Sequence, residues 1–277
     1  MLRSILVGLD GSPYSDAALE VALRWARRFG ATLLGLGIVD EPTIRDPGGL
    51  MIGSGHYKPI VDEQHLADAR KKVDQFLDHF ERRCGEEHVA CRRLKETGEP
   101  AREIVEEAQR CDLVVMGQQS YFHFETQEGP GETLFDVLRE SPRPVITVPR
   151  ESSASDSIAL AYDGSLQAAR ATQSLVNTGL CEGSDVHVLT VAEDDKDAHS
   201  MAARAIEFLG YHGVNATLHA APESDSTGDA ILEQAAKLGV GLIAMGAYGK
   251  PAIQDFFFGS TTTTVLKKTT LPLLVYH

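Results

Sequence analysis

The segment that decides the fold is Ile5 to Ser12, ILVGLDGS, because it recurs later in the chain as Ile158 to Ser165, IALAYDGS. In both places a short apolar run ends in Asp-Gly-Ser, and an alanine-rich stretch with helical spacing follows. A buried strand that turns directly into an amphipathic helix produces this pattern. The match predicts that one α/β unit occurs twice in the chain.

Two further pairs of segments repeat in the same order. Cys111 to Gly117, CDLVVMG, matches Val240 to Gly246, VGLIAMG, and the segment 143–148, RPVITV, matches 271–276, LPLLVY. Chance does not readily produce three matches in one order. We therefore predict two tandem domains, and the polar linker ESSASD at their junction places them at 1–150 and 156–277.

Within each copy, continuous apolar runs alternate with stretches of helical periodicity. The predicted strands are 3–9, 32–39, 88–95, 111–117 and 144–149 in the first copy, and 157–162, 185–192, 214–220, 240–246 and 271–276 in the second. The predicted helices are 13–29, 62–84, 100–110 and 132–141, then 166–180, 197–211, 227–238 and 260–268. Ser12 is the expected N-cap of the first helix, with Pro13 at its first position and Gly30 at its end. Apolar strands separated by helices predict an α/β fold with two tandem doubly wound five-stranded parallel-sheet domains.

Composition and charge exclude several classes of function. The formal net charge is −14 and both halves are acidic, which argues against a nucleic-acid binder and against binding to anionic lipid. No apolar run approaches the roughly 20 residues that span a bilayer, so we expect no membrane insertion. The first residues are typical of a buried strand rather than a signal peptide, which favours a cytoplasmic protein. The cysteines contain no C-x-x-C pair and are expected to be small buried side chains, namely Cys84, Cys91, Cys111 and Cys181.

A glycine-rich segment follows the fourth strand of the second copy. Gly246 and Gly249 are separated by two residues, and after nine more residues Gly259, Ser260 and Thr261 open the last helix. Glycines let the backbone approach a phosphate, and a helix N-terminus together with two hydroxyls favours the anion. A purely structural interpretation also exists, in which the glycines serve turns and Ser260 caps the helix.

The order G-x-x-G, nine residues, G-[ST] resembles the ATP-binding motif of the universal stress protein family. The resemblance covers the whole chain, once per copy, and implies an adenine nucleotide alpha hydrolase-like, Rossmann-like fold. It also implies ATP as the bound ligand, with Mg²⁺ as a candidate companion ion and a role in stress survival or in regulating a partner. In the family an aspartate at the end of the first strand points at the nucleoside, and apolar residues at strand ends line the adenine pocket. The nucleotide-binding residues implied in this chain are Ala161, Asp163, Gly164, Val191, Ala192, Met245, Gly246, Gly249, Gly259, Ser260 and Thr261. Ordinary strand-end packing or a turn role for Asp163 are the alternatives.

The first copy departs from this pattern. Gly117 is present, but Ser120 occupies the second glycine position, and ten residues rather than nine precede Gly131. Glu132 occupies the position of Ser260, and a carboxylate beside a triphosphate is repulsive unless a cation intervenes. We therefore predict a weaker or altered second site, formed by Asp10, Val39, Gly117, Gly131 and Thr133. The long segment 41–61, rich in Gly and Pro, is interpreted either as a lid or binding loop or as a disordered excursion.

Three hypotheses for function follow. The first is a nucleotide-binding stress or regulatory protein without efficient catalysis, because no nucleophile–base pair or metal-ligand cluster is evident and the sequence lacks both the P-loop and H-E-x-x-H patterns. The second is an enzyme, a slow ATPase or a nucleotide-handling protein. The third is a docking module for a transporter or kinase that no longer binds nucleotide. The resemblance also implies that the two copies pair within one chain through strands 144–149 and 271–276, which hides two sheet edges, with a homodimer of the whole chain as a further expectation.

Overall fold

The computed structural model describes residues 1–45, 58–122, 131–151, 155–192, 195–222, 226–247 and 259–277, apart from the side chains of residues 58–61 and 195. The first copy contains strands β1 (Ser4–Leu9), β2 (Thr32–Val39), β3 (Cys91–Thr97), β4 (Leu113–Gly117) and β5 (Val145–Val148), and helices α1 (Pro13–Phe29), α2 (Glu41–Arg45), α3 (Lys58–Glu86), α4 (Pro100–Ala108) and α5 (Glu132–Glu140). The second copy contains strands β6 (Ile158–Ala161), β7 (Val186–Ala192), β8 (Ala216–Pro222), β9 (Leu242–Gly246) and β10 (Leu273–Tyr276), and helices α6 (Leu166–Thr178), α7 (Asp195–Tyr211), α8 (Thr227–Leu238) and α9 (Ser260–Lys268). The predicted α/β class is confirmed.

The strand order in each half is that of a doubly wound sheet. The chain divides into two compact units, one of residues 3–142 and one of residues 143–277 together with Met1 and Leu2. The first unit has the order β3-β2-β1-β4 with parallel neighbours. The second has the order β5-β10-β9-β6-β7-β8, parallel from β10 to β8. The order reverses between β1 and β4 and again between β6 and β9, which are the points where such folds bind ligands.

The closing strands of the two copies are hydrogen-bonded to each other. Strand β5 runs antiparallel to β10, with Thr147 opposite Leu273 and Val145 opposite Val275. This pairing was expected, and it explains why β5 belongs to the second compact unit. The domain boundary after residue 150 stays a prediction.

The turn from the first strand into the first helix is the same in both copies. The Ser12 hydroxyl caps α1 by accepting from the backbone N–H of Ser15 at 3.2 Å, and the Ser165 hydroxyl caps α6 by accepting from that of Ala168 at 3.1 Å. Pro13 is the first residue of α1, and Gly30 ends that helix in the left-handed conformation with φ of 65°. The cap, the proline and the glycine are confirmed as predicted.

The edge strand β3 differs most from its prediction, which placed it at 88–95. Helix α3 runs on to Glu86, and His88 has a φ of 56° that separates the helix from the strand. Charged side chains on β3 pair with α3, Arg93 with Asp78 at 2.7 Å and Lys95 with Asp74 at 2.6 Å. An edge strand held by ion pairs does not carry the continuous apolar run on which the prediction relied.

The predicted loop 41–61 is partly helical. Residues 41–45 form α2 and residues 58–61 begin α3, whereas 46–57 lie outside the described residues. The interpretation of all of 41–61 as loop is therefore wrong at both ends. Five residues cannot show a helical period, and for this reason α2 left no signal in the sequence.

The cysteines are free thiols, three of them buried and Cys91 half-buried. Burial, together with the neighbouring Cys91, raises the pKa of Cys84 to about 12, so this thiol stays protonated near neutral pH. This environment agrees with the predicted packing role. Among the described residues, no helix is both long and apolar enough to cross a membrane.

Candidate functional site

A cavity of about 420 Å³ opens at the switch point of the second unit, at the carboxyl ends of β6 and β9. Its volume lies within the range of small-molecule sites, roughly 300–1,000 Å³. Most of the residues predicted to bind nucleotide line it, namely Ala161, Asp163, Val191, Met245, Gly246, Gly259, Ser260 and Thr261. The structure thus brings together residues that are up to 100 positions apart in the sequence.

Three predicted residues are not found in the lining of the cavity as the structure describes it. Gly164 and Ala192 do not line the cavity, and Gly249 lies outside the described residues. Sequence reasoning also missed several lining residues, namely Tyr162, Ser165, Ala168, Leu189, Thr227, Ile231 and Thr262. Leu189 lies two residues before Val191 and so faces the same side of β7, a signal that was available. Thr227 and Ile231 reach the cavity through the packing of α8, which no local pattern predicts.

Asp163 shapes the turn and also faces the cavity. Its Oδ1 accepts a hydrogen bond from the backbone N–H of Ser165 at 3.0 Å, and Gly164 between them has a φ of 75°. The side chain is exposed, and its Oδ2 accepts no hydrogen bond from the described part of the chain. The turn role and the ligand role are therefore compatible, because each needs a different oxygen.

The N-terminus of α9 also lines the cavity. Its N-cap is Gly259, with no side-chain cap, and Ser260 is the first helical residue. The interpretation of Ser260 as an N-cap is therefore wrong. The first intrahelical hydrogen bond comes from the N–H of Thr263 to Gly259 O at 3.0 Å. The backbone N–H groups of the preceding residues have no partner within the helix, and the positive end of its dipole lies beside the cavity.

Gly246 and Gly259 are needed for different reasons. A Cβ on Gly246 would lie 2.4 Å from the backbone carbon of Gln167 at the start of α6, so only glycine lets β9 and α6 approach this closely. A Cβ on Gly259 would meet no described atom within 4 Å. Packing of the described residues therefore explains Gly246 but leaves Gly259 unexplained.

The five residues predicted for the site of the first copy are all buried. Val39 is fully buried, Asp10 and Thr133 are each 8% exposed, and Gly131 is the N-cap of α5. Gly117 packs against Tyr14, as its counterpart Gly246 packs against Gln167.

The described residues offer few ligands for a cation. The part of the chain that the structure describes contains no group of three or more His, Cys, Asp or Glu side chains placed to hold a metal ion. Among the described residues that line the cavity, Asp163 is the one with a carboxylate. A divalent cation here would need oxygen ligands from a bound phosphate, as Mg²⁺ commonly has.

These features define a class of protein: tandem doubly wound α/β domains with a cavity at the switch point of the second. A family model described as the universal stress protein family matches the chain twice, over residues 1–149 and 155–277. The chain therefore belongs to the universal stress protein family.

Relatives of similar length support this membership. The universal stress protein Slr1230 of Synechocystis is 22% identical, and the alignment covers 100% of both chains. A universal stress protein of Mycolicibacterium smegmatis is 23% identical over 98% of this chain and 96% of its own. The crystal structure of a universal stress protein from Archaeoglobus fulgidus has a TM-score of 0.69 at 19% identity, covering 98% of this chain and 97% of its own, which supports the fold.

Proposed function

We propose that this universal stress protein is a cytoplasmic stress-response or regulatory protein that binds ATP in its C-terminal copy. The observation that carries the proposal is the pairing of Asp163 with the uncapped N-terminus of α9 across one cavity. One wall thus offers a carboxylate oxygen as a hydrogen-bond acceptor, and the other offers backbone donors and a positive dipole. A nucleoside phosphate has both complementary parts, ribose hydroxyls that donate and phosphates that accept.

The remaining lining residues suit a base. Ala161, Val191 and Met245 present apolar surface at the ends of β6, β7 and β9, where an adenine ring would pack. The phosphates would lie at Gly259, with the hydroxyls of Ser260 and Thr261 beside them. Mg²⁺, when it accompanies the nucleotide, would be bound mainly by the phosphate oxygens.

The proposed protein binds ATP without hydrolysing it efficiently. The lining residues that the structure describes contain no histidine, lysine or cysteine, and Asp163 already accepts the turn hydrogen bond. Slow ATP hydrolysis remains the enzyme alternative, and it predicts release of phosphate above the uncatalysed rate. A docking protein without nucleotide is the other alternative, and it predicts a purified chain that neither carries nor binds ATP. A homodimer of the tandem chain stays a prediction.

Titration of the full-length chain with ATP tests the proposal when Gly259→Glu is compared with Gly210→Glu. Each variant adds one negative charge to the second unit where the described atoms leave open space. A glutamate at position 259 also suits a helix N-terminus, so folding should be preserved while the carboxylate repels the phosphates. We expect ATP affinity to fall at least about a hundredfold in Gly259→Glu and to be unchanged in Gly210→Glu. Equal affinity in both variants would refute the C-terminal site.

A further inference from the structure

In the first copy, two aromatic side chains of the chain itself occupy the place that corresponds to the cavity. Phe122 is 1% exposed, and a Cβ on Gly8 would lie 3.2 Å from its ring. Gly8 is the counterpart of Ala161 in the repeat, and the neighbouring Met116 is the counterpart of Met245. Phe122 therefore lies where the second copy has the apolar wall of its cavity.

Tyr121 covers the start of the last helix in the same way. A Cβ on Gly131 would lie 2.9 Å from the Tyr121 ring, whereas a Cβ on its counterpart Gly259 would meet no described atom within 4 Å. Gly131 is buried and Gly259 is exposed. The helix N-terminus that faces a cavity in the second copy is thus covered by a phenol ring in the first.

Both carboxylate oxygens of the first copy's aspartate already accept a backbone hydrogen bond. Asp10 Oδ1 accepts from the N–H of Ser12 at 2.9 Å, and Oδ2 accepts from the N–H of Tyr121 at 2.9 Å. Asp163 makes only the first of these two bonds within the described residues. The carboxylate therefore anchors the aromatic pair in the first copy, whereas in the second it accepts no further hydrogen bond from the described residues.

The aromatic pair is held in a conformation that the isolated chain would avoid. Phe122 has a φ of 52°, in the left-handed region that bulky residues disfavour. The hydroxyl of Ser120 is fully buried and has no hydrogen-bond partner among the described residues. Burial of two aromatic rings offsets both costs, so the pair acts as a plug that is bound to its site rather than as a loose loop.

We propose that the N-terminal copy is a self-occupied nucleoside pocket, in which Tyr121 and Phe122 stand in for a ligand and keep the chain to one nucleotide. The corollary is a latent second site that opens when the two rings are removed. That the two rings fill the pocket is inferred from the first copy alone. That the pocket would bind a nucleoside rests on the function proposed for the second copy. Because Glu132 would repel phosphate, uncharged adenosine is the suitable probe for the latent site.

The experiment measures adenosine binding in full-length chains that carry Ala161→Phe, which places a ring in the C-terminal cavity beside its apolar lining and so removes that site from the signal. With Tyr121 and Phe122 in place we expect no saturable binding. Adding Tyr121→Gly and Phe122→Gly should raise adenosine affinity by at least about tenfold, because adenosine no longer has to displace the two rings in order to bind. Binding should saturate at one adenosine per chain.

A second variant and a control keep the test decisive. Phe122→Gly alone removes one ring and places glycine at a φ that favours it, so the backbone gain offsets part of the lost burial. Phe80→Ala removes a fully buried ring elsewhere in the same unit and should create no adenosine binding. Adenosine binding by Ala161→Phe with the aromatic pair intact would overturn the proposal, as would folded opened variants that bind none. If the wild-type chain binds no ATP but the opened variants bind adenosine, the proposal for the first copy is supported and the ATP binding proposed for the second copy is refuted.

Discussion

At the residue scale, the equivalent aspartates of the two copies have different surroundings. Asp10 and Asp163 end equivalent strands and accept the same turn hydrogen bond. Asp10 is 8% exposed and accepts a second backbone N–H, whereas Asp163 is exposed, lines the cavity and accepts one hydrogen bond from the described residues. The same substitution should therefore reduce stability in one copy and ligand affinity in the other.

Asp163→Asn should lower ATP affinity by about tenfold or more, the effect of losing a charged hydrogen-bond acceptor. The asparagine oxygen can still accept from Ser165, so the melting temperature should change little. Isothermal titration calorimetry gives the affinity, and Asp156→Asn, at an exposed position of the same unit, is the control. An unchanged affinity would leave Asp163 with its turn role alone.

Asp10→Ala should lower the free energy of unfolding by about 2–3 kcal/mol, because two backbone N–H groups lose their acceptor and that of Tyr121 is buried. Urea denaturation measures the change. Asp163→Ala removes one such bond at an exposed site, so its cost should be smaller. The account of the aromatic plug would be contradicted if the two costs were equal.

At the element scale, Gly246 allows strand β9 to pack closely against helix α6. Gly246→Ala would force its Cβ to 2.4 Å from the Gln167 backbone, so we expect a loss of about 1–3 kcal/mol in stability. Gly259→Ala should cost less, about 0.5–1 kcal/mol, the difference between these residues at an N-cap. Thermal denaturation of both variants checks the contrast. Equal melting temperatures would show that β9 and α6 separate easily.

The neighbouring strands β7 and β8 carry a histidine pair that should make the second unit sensitive to acid. His187 Nδ1 and His219 Nε2 lie 3.0 Å apart, so the bond needs one neutral acceptor ring. Burial, and then the neighbouring His187, lower the pKa of His219 below its usual 6.5. The native state thus favours the neutral ring, and its contribution to stability is present above pH 6.5 and is lost as the pH falls below that value.

Replacing His219 with Gln should therefore flatten the decrease in stability between pH 7 and about pH 5. Denaturation midpoints across this range measure the slope. His199→Gln, an exposed position on α7, should leave the wild-type slope unchanged. A variant at position 219 with the wild-type slope would place the acid sensitivity elsewhere.

The elements also show how far the sequence alone reaches. The repeated Asp-Gly-Ser segments predicted β1, β6 and the helices that follow, because cap, proline and glycine act within a few residues. Because these signals act locally, they did not predict α2, and they placed β3 too early in the sequence. The position of β3 depends on ion pairs to α3. For the site, the glycine pattern located the cavity. The packing of Tyr121 and Phe122 in the first copy is a tertiary contact, and its sequence signal was the departure from the glycine pattern at Ser120, in the spacing before Gly131 and at Glu132.

At the scale of the whole molecule, duplication has produced two copies with one fold and different interiors. Each copy keeps the strand-end aspartate and the glycine that packs against the first helix. They differ in what lies between these residues, a cavity of about 420 Å³ in the second copy and two aromatic rings in the first. A chain of two related domains is therefore expected to bind one ligand.

The number of ATP molecules per chain tests this account most directly. Native mass spectrometry of the full-length protein, titrated with ATP beyond saturation, gives that number without assuming a site. We predict one ATP per wild-type chain and none for Gly259→Glu. Two ATP molecules per wild-type chain, or one retained by Gly259→Glu, would contradict the account.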